Sequence, residues 1–258
     1  MGGCYAEKLH NKRQAMFVKH GGVYPHTGRP IPAQYAKPFS EIQLLPERLD
    51  TPKRWRAPKL IFVNSMSDLF HKDVPTGFIL DVLKIMDETP QHTYQVLTKR
   101  AERLPLIRDL REWPANLHLG VSVEDRKRLS RIPFLVHAGP PVAWLSVEPL
   151  LEDLGEFDLS GIHWLVVGGE TAANGAARAM HPQWARNLRE HCLAASVPFF
   201  FKQWGNMIHE SQIPLGVSVA GKRHIHLWPD GTKSYHIAKK LAGRLLDGQL
   251  WNQFPRVA

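Results

Sequence analysis

The stretch Leu117-His118-Leu119-Gly120-Val121, followed by Ser122 and Glu124, decides the fold of this chain. It is a short apolar run that ends in polar residues, which is typical of a buried parallel strand whose carboxyl end meets solvent. Six further short runs lie along the 258 residues, at 42–45, 60–63, 94–97, 142–145, 163–167 and 198–201. Most segments between them carry a helical spacing of apolar residues. The sequence therefore predicts an α/β fold, a TIM-like (β/α) barrel.

The beginning of the chain departs from a complete barrel of eight units. A helix is predicted over 5–20, and no strand precedes it. We therefore predict a barrel that is partial or lacks its first strand, in a chain that begins after that strand. Between the strands, helices are predicted over 46–54, 75–88, 101–112, 125–137 and 182–195.

The pattern changes again beyond Trp204. Runs at 224–228 and 232–236 flank Pro229-Asp230-Gly231, which is a hairpin signal. A short helix containing Leu241, Leu245 and Leu246 is expected after the hairpin. The predicted domains are a barrel over 1–204 and a small hairpin–helix appendage over 205–258.

Polar or charged residues follow six of the predicted strands. Because the carboxyl ends of barrel strands meet on one face, these residues are expected around one mouth, where such folds place their chemistry. The alternative is that they are ordinary polar strand ends. The candidates are Asn64, Ser65, Thr98, Lys99, Ser122, Glu124, Glu148, Gly168, Gly169, Glu170 and Lys202.

The charge balance indicates an anionic partner. A formal net charge of +9 favours a nucleotide or nucleic acid ahead of a membrane surface, although basic runs are usually solvated helix faces. No apolar run approaches the roughly 20 residues of a membrane span. Residues 1–20 also lack the apolar core of a secretory signal, so the sequence predicts a cytoplasmic protein.

The only two cysteines, Cys4 and Cys192, exclude a disulfide framework. Cys192 has the spacing of a buried helix position, and we predict that it belongs to the core. Cys4 opens the predicted first helix, where the helix dipole lowers a thiol pKa and suits metal or iron–sulfur ligation. A four-iron cluster needs at least three thiolates, however, and this segment supplies one.

The fourteen histidines leave a second class of function open. So many possible ligands suggest a zinc site, but the histidines are scattered, without the His-x-His or His-Glu-x-x-His spacing of such sites. A metal-dependent hydrolase barrel is therefore the alternative and not the main prediction. No nucleophile elbow, phosphate-binding loop or dinucleotide fingerprint occurs. A non-catalytic nucleic-acid-binding barrel is a third hypothesis, and the basic charge favours it.

Several longer motifs occur in one order along nearly the whole chain, among them GGCYAE, IFVNSMSDLFH, LGVSVED, LSVEPLL, VVGGE and PFFFKQWG. These motifs resemble a phage and prophage family of unknown function, the gene-product-37/68 domain family, which looks like a relative of the radical S-adenosylmethionine barrel enzymes. The resemblance implies a 4Fe-4S cluster held by three cysteines, bound S-adenosylmethionine, and a three-Cys-motif partner protein. Cys4 matches the last cysteine of the motif and is the predicted metal ligand. Met1 falls at the middle position, so we expect a chain that begins within the motif and holds no stable cluster as given.

The same resemblance suggests roles for the strand-end residues. Gly168, Gly169 and Glu170 would contact the amino group of the cofactor, although a tight turn with a solvated glutamate is the alternative. The ribose and carboxylate of the cofactor would be contacted by Thr98, Ser122 and Glu124, beside a polar wall that includes Asn64 and Ser65. The predicted catalytic residues are Lys99, Glu148 and Lys202, acting on a nucleotide or a nucleic-acid base.

Overall fold

A computed structural model describes residues 5–172 and 176–255 of the chain. Its centre is one curved sheet in which every neighbouring pair of strands is parallel. The order of strands in the sheet is their order in the sequence, and helices flank it, so the fold is an open half-barrel of α/β type. The strands are β1 Leu60–Val63, β2 Thr93–Thr98, β3 Leu117–Ser122, β4 Val142–Val147, β5 Trp164–Gly168 and β6 Phe199–Gln203.

Six of the seven predicted strands are confirmed, and the first is wrong. Residues 42–45 form no strand, and Ile42 and Leu44 are exposed rather than buried in the sheet. The predicted helix over 46–54 is also wrong. It is replaced by two single 3-10 turns, Pro46–Arg48 and Pro52–Arg54, because each proline starts a new turn that the next few residues do not extend.

The remaining helices lie near their predicted positions. The two that precede β3 and β4 are shorter than predicted, because the residues before each form 3-10 turns. None of the helices in the described part of the chain combines the length and the apolar character needed to cross a membrane. The helices are α1 Tyr5–Lys19, α2 Thr76–Asp87, α3 Leu104–Arg108, α4 Ile132–Ala138 and α5 Pro182–Ala194.

The two faces of the sheet bury different sets of side chains. The convex face carries the main core, in which strand residues such as Leu119, Leu145 and Leu165 belong to one cluster with the apolar sides of the helices. Cys192 of α5 lies in this cluster, fully buried, and burial raises the pKa of its thiol to about 12. The prediction that Cys192 is a core residue is confirmed.

The concave face has a smaller aromatic floor, formed mainly by Trp144 and Trp164, whose ring centroids are 5.4 Å apart. The Trp144 indole lies across Gly120 of β3, and its Nε1 donates to the carbonyl oxygen of His118 at 3.3 Å. A Cβ atom at Gly120 would stand 2.6 Å from both Cδ2 and Nε1 of that ring. Glycine is required here because the ring occupies the space of a side chain.

The region after β6 forms a second, antiparallel sheet with the order β7-β9-β8. The predicted hairpin is confirmed, as β8 Ile225–Leu227 pairs with β9 Lys233–His236, and β7 Met207–His209 lies on the other side of β9. The predicted short helix after the hairpin is present, but it contains only Leu241, and Leu245 and Leu246 lie in a strand. This helix, α6 Lys239–Ala242, ends at Gly243, whose φ of 70° leaves the helical region.

The end of the described chain lies along the open edge of the half-barrel. β10 Leu245–Leu246 and β11 Gln249–Leu250 form a tight hairpin, and the chain then runs antiparallel to β6. The carbonyl oxygen of Trp251 accepts from the Phe201 amide at 2.9 Å, and Gln253 exchanges bonds with Phe199. This tail covers the edge of β6. The division of the chain at residue 204 stays a prediction.

Candidate functional site

The carboxyl ends of the six parallel strands share one edge of the sheet, and we call the polar residues on this edge the rim. The rim contains the residues that the sequence singled out after each strand. They are Asn64 and Ser65 after β1, Thr98 and Lys99 at the end of β2, Ser122 and Glu124 at β3, Glu148 after β4, Gly168, Gly169 and Glu170 at β5, and Lys202 in β6.

The first part of the rim is organised by the carboxylate of Asp68, another polar residue that follows β1 in the sequence. Asp68 accepts from the Thr98 hydroxyl at 2.8 and 3.0 Å and from the Lys99 amide at 2.9 Å. The Thr98 hydroxyl therefore stabilises the turn after β1. Asn64 and Ser65 are exposed, and Asn64 adopts a left-handed conformation with φ of 58°, which asparagine tolerates better than most residues.

Glu124 is the most buried carboxylate of the rim, and it lies between two cations. Lys99 donates to one carboxylate oxygen, and Arg131 donates to the other at 3.0 Å and to the carbonyl oxygen of Ser122 at 2.6 Å. Burial acts to raise the pKa of Glu124, but the Lys99 and Arg131 cations outweigh it and hold that pKa below its usual value. Glu124 is thus ionised at neutral pH.

Glu148 accepts from side chains of β4 and β6, the two strands on either side of β5. One carboxylate oxygen accepts from the Lys202 ammonium at 3.0 Å and from the Ser146 hydroxyl at 3.3 Å. The other oxygen lies 2.5 Å from the point where a Cβ atom on Gly168 would stand. Gly168 therefore provides the space that lets Glu148 reach across the end of β5.

Glu170, which follows β5, forms a bidentate ion pair with Arg178. Arg178 donates from Nη2 at 2.6 Å and from Nε at 2.9 Å, and its backbone amide donates at 2.7 Å. These bonds to Arg178 lower the pKa of Glu170, and the charge of Lys8 on α1 adds to the effect. The Gly169 amide, which precedes this pair, donates to the carbonyl oxygen of Gln203 at 2.8 Å.

Three rim glutamates are largely buried, and each pairs with an exposed cation, although Glu124 also pairs with Arg131, which is only 16% exposed. The side chains of Glu124, Glu148 and Glu170 are 11, 17 and 18% exposed. Their partners Lys99, Lys202 and Arg178 are 60, 53 and 59% exposed. The carboxylates are therefore held in place, while each cation is open to solvent. Such a site can exchange its own cations for ammonium or hydroxyl groups of a ligand.

The described residues do not fit a 4Fe-4S cluster. Within 5–172 and 176–255, no group of three His, Cys, Asp or Glu side chains is placed to hold a metal ion. Cys4, the predicted metal ligand, lies outside the described residues. Cys192 is buried in α5 with a raised pKa, which keeps its thiol protonated and unsuited to iron.

Comparison with known families places the chain in one of them. A family model described as "Protein of unknown function (DUF5131)" matches residues 2–255. The chain belongs to the DUF5131 family. No curated protein and no solved structure matches it. The description of DUF5131 names no activity, so the phage origin, the radical S-adenosylmethionine chemistry and the three-Cys-motif partner stay predictions.

Proposed function

We propose that this DUF5131 protein binds S-adenosylmethionine at the rim and acts on a nucleotide or nucleic-acid base, as a radical S-adenosylmethionine-like protein. The observation that carries the proposal is the repeated pairing of a buried glutamate with an exposed cation. S-adenosylmethionine offers an ammonium group and two ribose hydroxyls, which suit carboxylate acceptors. Its carboxylate suits a lysine or arginine released from its glutamate.

Each part of the rim has a complementary group on that ligand. Glu148 and Glu170 lie on adjacent strands, where they could accept from an ammonium group and from hydroxyls. Lys99 and Lys202 carry the exposed ammonium groups for the ligand carboxylate. Binding would then replace each internal ion pair by a pair with the ligand, which preserves charge balance at the partly buried glutamates.

The cysteine content of the chain separates binding of the cofactor from its cleavage. The whole sequence contains only Cys4 and Cys192, and the second is a core residue. Reductive cleavage of the cofactor requires a cluster, and this chain supplies one candidate thiolate for it. Further thiolates would have to come from another segment or subunit, whereas binding at the rim needs none.

The binding is tested by equilibrium dialysis of the protein with radiolabelled S-adenosylmethionine. We expect Glu148→Gln to weaken binding about tenfold or more, because a hydrogen bond to a charged group contributes about 1.5–3 kcal/mol. Glu190→Gln is the matched control, since Glu190 is an exposed carboxylate of α5 that also pairs with an arginine, Arg189. Its affinity should equal that of the wild type.

Gly168→Ala adds a second test that changes no charge. The new methyl group would displace the Glu148 carboxylate, which is the far end of a flexible side chain, so the fold should tolerate it. We expect a loss of affinity like that of Glu148→Gln with little change in thermal stability. Undiminished binding in both variants, or no binding of S-adenosylmethionine by the wild type, would rule out the rim as its site.

A further inference from the structure

A cavity of about 530 Å³ lies next to the rim, between the segment before α5 and the outer strand of the second sheet. This size is typical of small-molecule sites. We call it the β8 cleft. Its lining includes Arg178, Trp184, Arg223, His224, His226 and Trp228.

The charge of the β8 cleft favours an anion. Two guanidinium groups and two imidazoles line it, and none of the described lining residues is acidic. Arg178 is neutralised by Glu170, which leaves the Arg223 guanidinium as the uncompensated charge. Arg223 is exposed, and no carboxylate of the described chain forms an ion pair with it. A guanidinium that faces a cavity without an internal partner is suited to a phosphate, which it can bind through two parallel hydrogen bonds.

The other wall of the cleft is aromatic and fixed in place. Trp228 packs edge-on against Trp184 at 5.3 Å and against His226 at 4.3 Å. Its indole Nε1 donates to the Ser234 hydroxyl at 2.9 Å, which anchors the ring to β9. Trp228 itself is buried, so the ring that this wall presents to a base is that of His226, which is exposed and held against Trp228. Aromatic side chains beside cations provide a surface on which the bases of single-stranded nucleic acid stack.

We propose that the β8 cleft binds one nucleotide unit of the substrate, with its phosphate on Arg223 and its base against the aromatic wall. The inference takes its substrate class from the proposed function and adds a location. Arg178 connects the cleft to the rim, because it lines the cleft and also pairs with Glu170 of the rim. A nucleotide in the cleft would therefore lie beside the proposed cofactor site.

The test is fluorescence anisotropy with a labelled single-stranded oligonucleotide at several salt concentrations. Arg223→Ala should weaken binding about tenfold and reduce the slope of log affinity against log salt by about one, as expected for one lost phosphate contact. Lys222→Ala is the matched control, because Lys222 is an adjacent exposed cation that does not line the cleft. It should leave both quantities unchanged. Arg223→Gln and His226→Ala should also weaken binding.

A competition arm identifies the source of the nucleotide. Displacement of the oligonucleotide by adenosine monophosphate at similar affinity indicates a free nucleotide, whereas weak displacement indicates nucleic acid. Equal losses in Arg223→Ala and Lys222→Ala, or no binding to the wild type, would overturn the inference. The outcome is separable from that of the proposed function, since the dialysis of S-adenosylmethionine depends on Glu148 and the anisotropy depends on Arg223.

Discussion

A methyl group at Gly120 tests whether the concave floor is packed as described. Its Cβ atom would stand 2.6 Å from two atoms of the Trp144 indole, whereas carbon atoms in contact are about 3.5–4.0 Å apart. The ring must therefore move by about 1 Å. Overpacking of this kind costs about 1–3 kcal/mol, and loss of the bond from Trp144 to His118 costs about 0.5–1.5 kcal/mol. We expect Gly120→Ala to lower the free energy of unfolding by about 2–4 kcal/mol.

Urea denaturation followed by circular dichroism measures this change. Gly77→Ala in α2 is the control, because no atom lies within 4 Å of a Cβ there, and it should stabilise the helix by up to about 1 kcal/mol. Repeating Gly120→Ala in a Trp144→Leu background removes the obstructing ring, so the methyl group should cost much less. A Gly120→Ala variant within about 0.5 kcal/mol of the wild type would refute the reasoning, as would an equal cost in both backgrounds.

Two further predictions concern the rim and the tail. The pKa of Glu124 lies below its ordinary value of 4.5, so its ionised form contributes stability that is fully present above pH 4.5 and is lost as the pH falls further. Wild type should therefore lose more stability than Glu124→Gln on acidification below about pH 5, and parallel urea midpoints would contradict this. Gln253→Ala removes the acceptor of the Phe199 amide and should destabilise by about 1–3 kcal/mol in thermal melts. Gln91→Ala, at an exposed side-chain bond, should have little effect, and equal losses would argue against a covered β6 edge.

The middle of the sheet was predictable because β3, β4 and β5 are buried on both faces, which leaves a continuous apolar run in the sequence. The same signal misled at 42–45, where an apolar run of similar length lies at the surface and pairs with no strand in the described chain. It also misled at the three leucines from Leu241 to Leu246. Their helical spacing is interrupted by Gly243 and then by the positive φ of Asp247, which turn the chain into a hairpin.

The rim residues that directly follow the strands were predictable, because the strand topology alone brings them together. Parallel strands bring their carboxyl ends together, so the order of the strands is enough to group the glutamates and lysines that follow them. Arg131 and Arg178 could not be found in this way. Arg131 lies in a basic run that resembles a solvated surface, and Arg178 reaches Glu170 from a loop whose path depends on tertiary packing. The β8 cleft likewise joins two regions that are distant in sequence.

Sequential strand order also affects how the protein is made. Each strand pairs with the one synthesised just before it, as Leu60 does with Thr93 and Trp144 with Trp164. The sheet can therefore grow one strand at a time as the chain leaves the ribosome, without waiting for a distant partner. Gln253 and its neighbours are synthesised after all six strands of the sheet, and they cover β6. Until this segment has emerged, the newest strand of every nascent intermediate has an open edge, and covering β6 is therefore a safeguard against pairing between nascent chains.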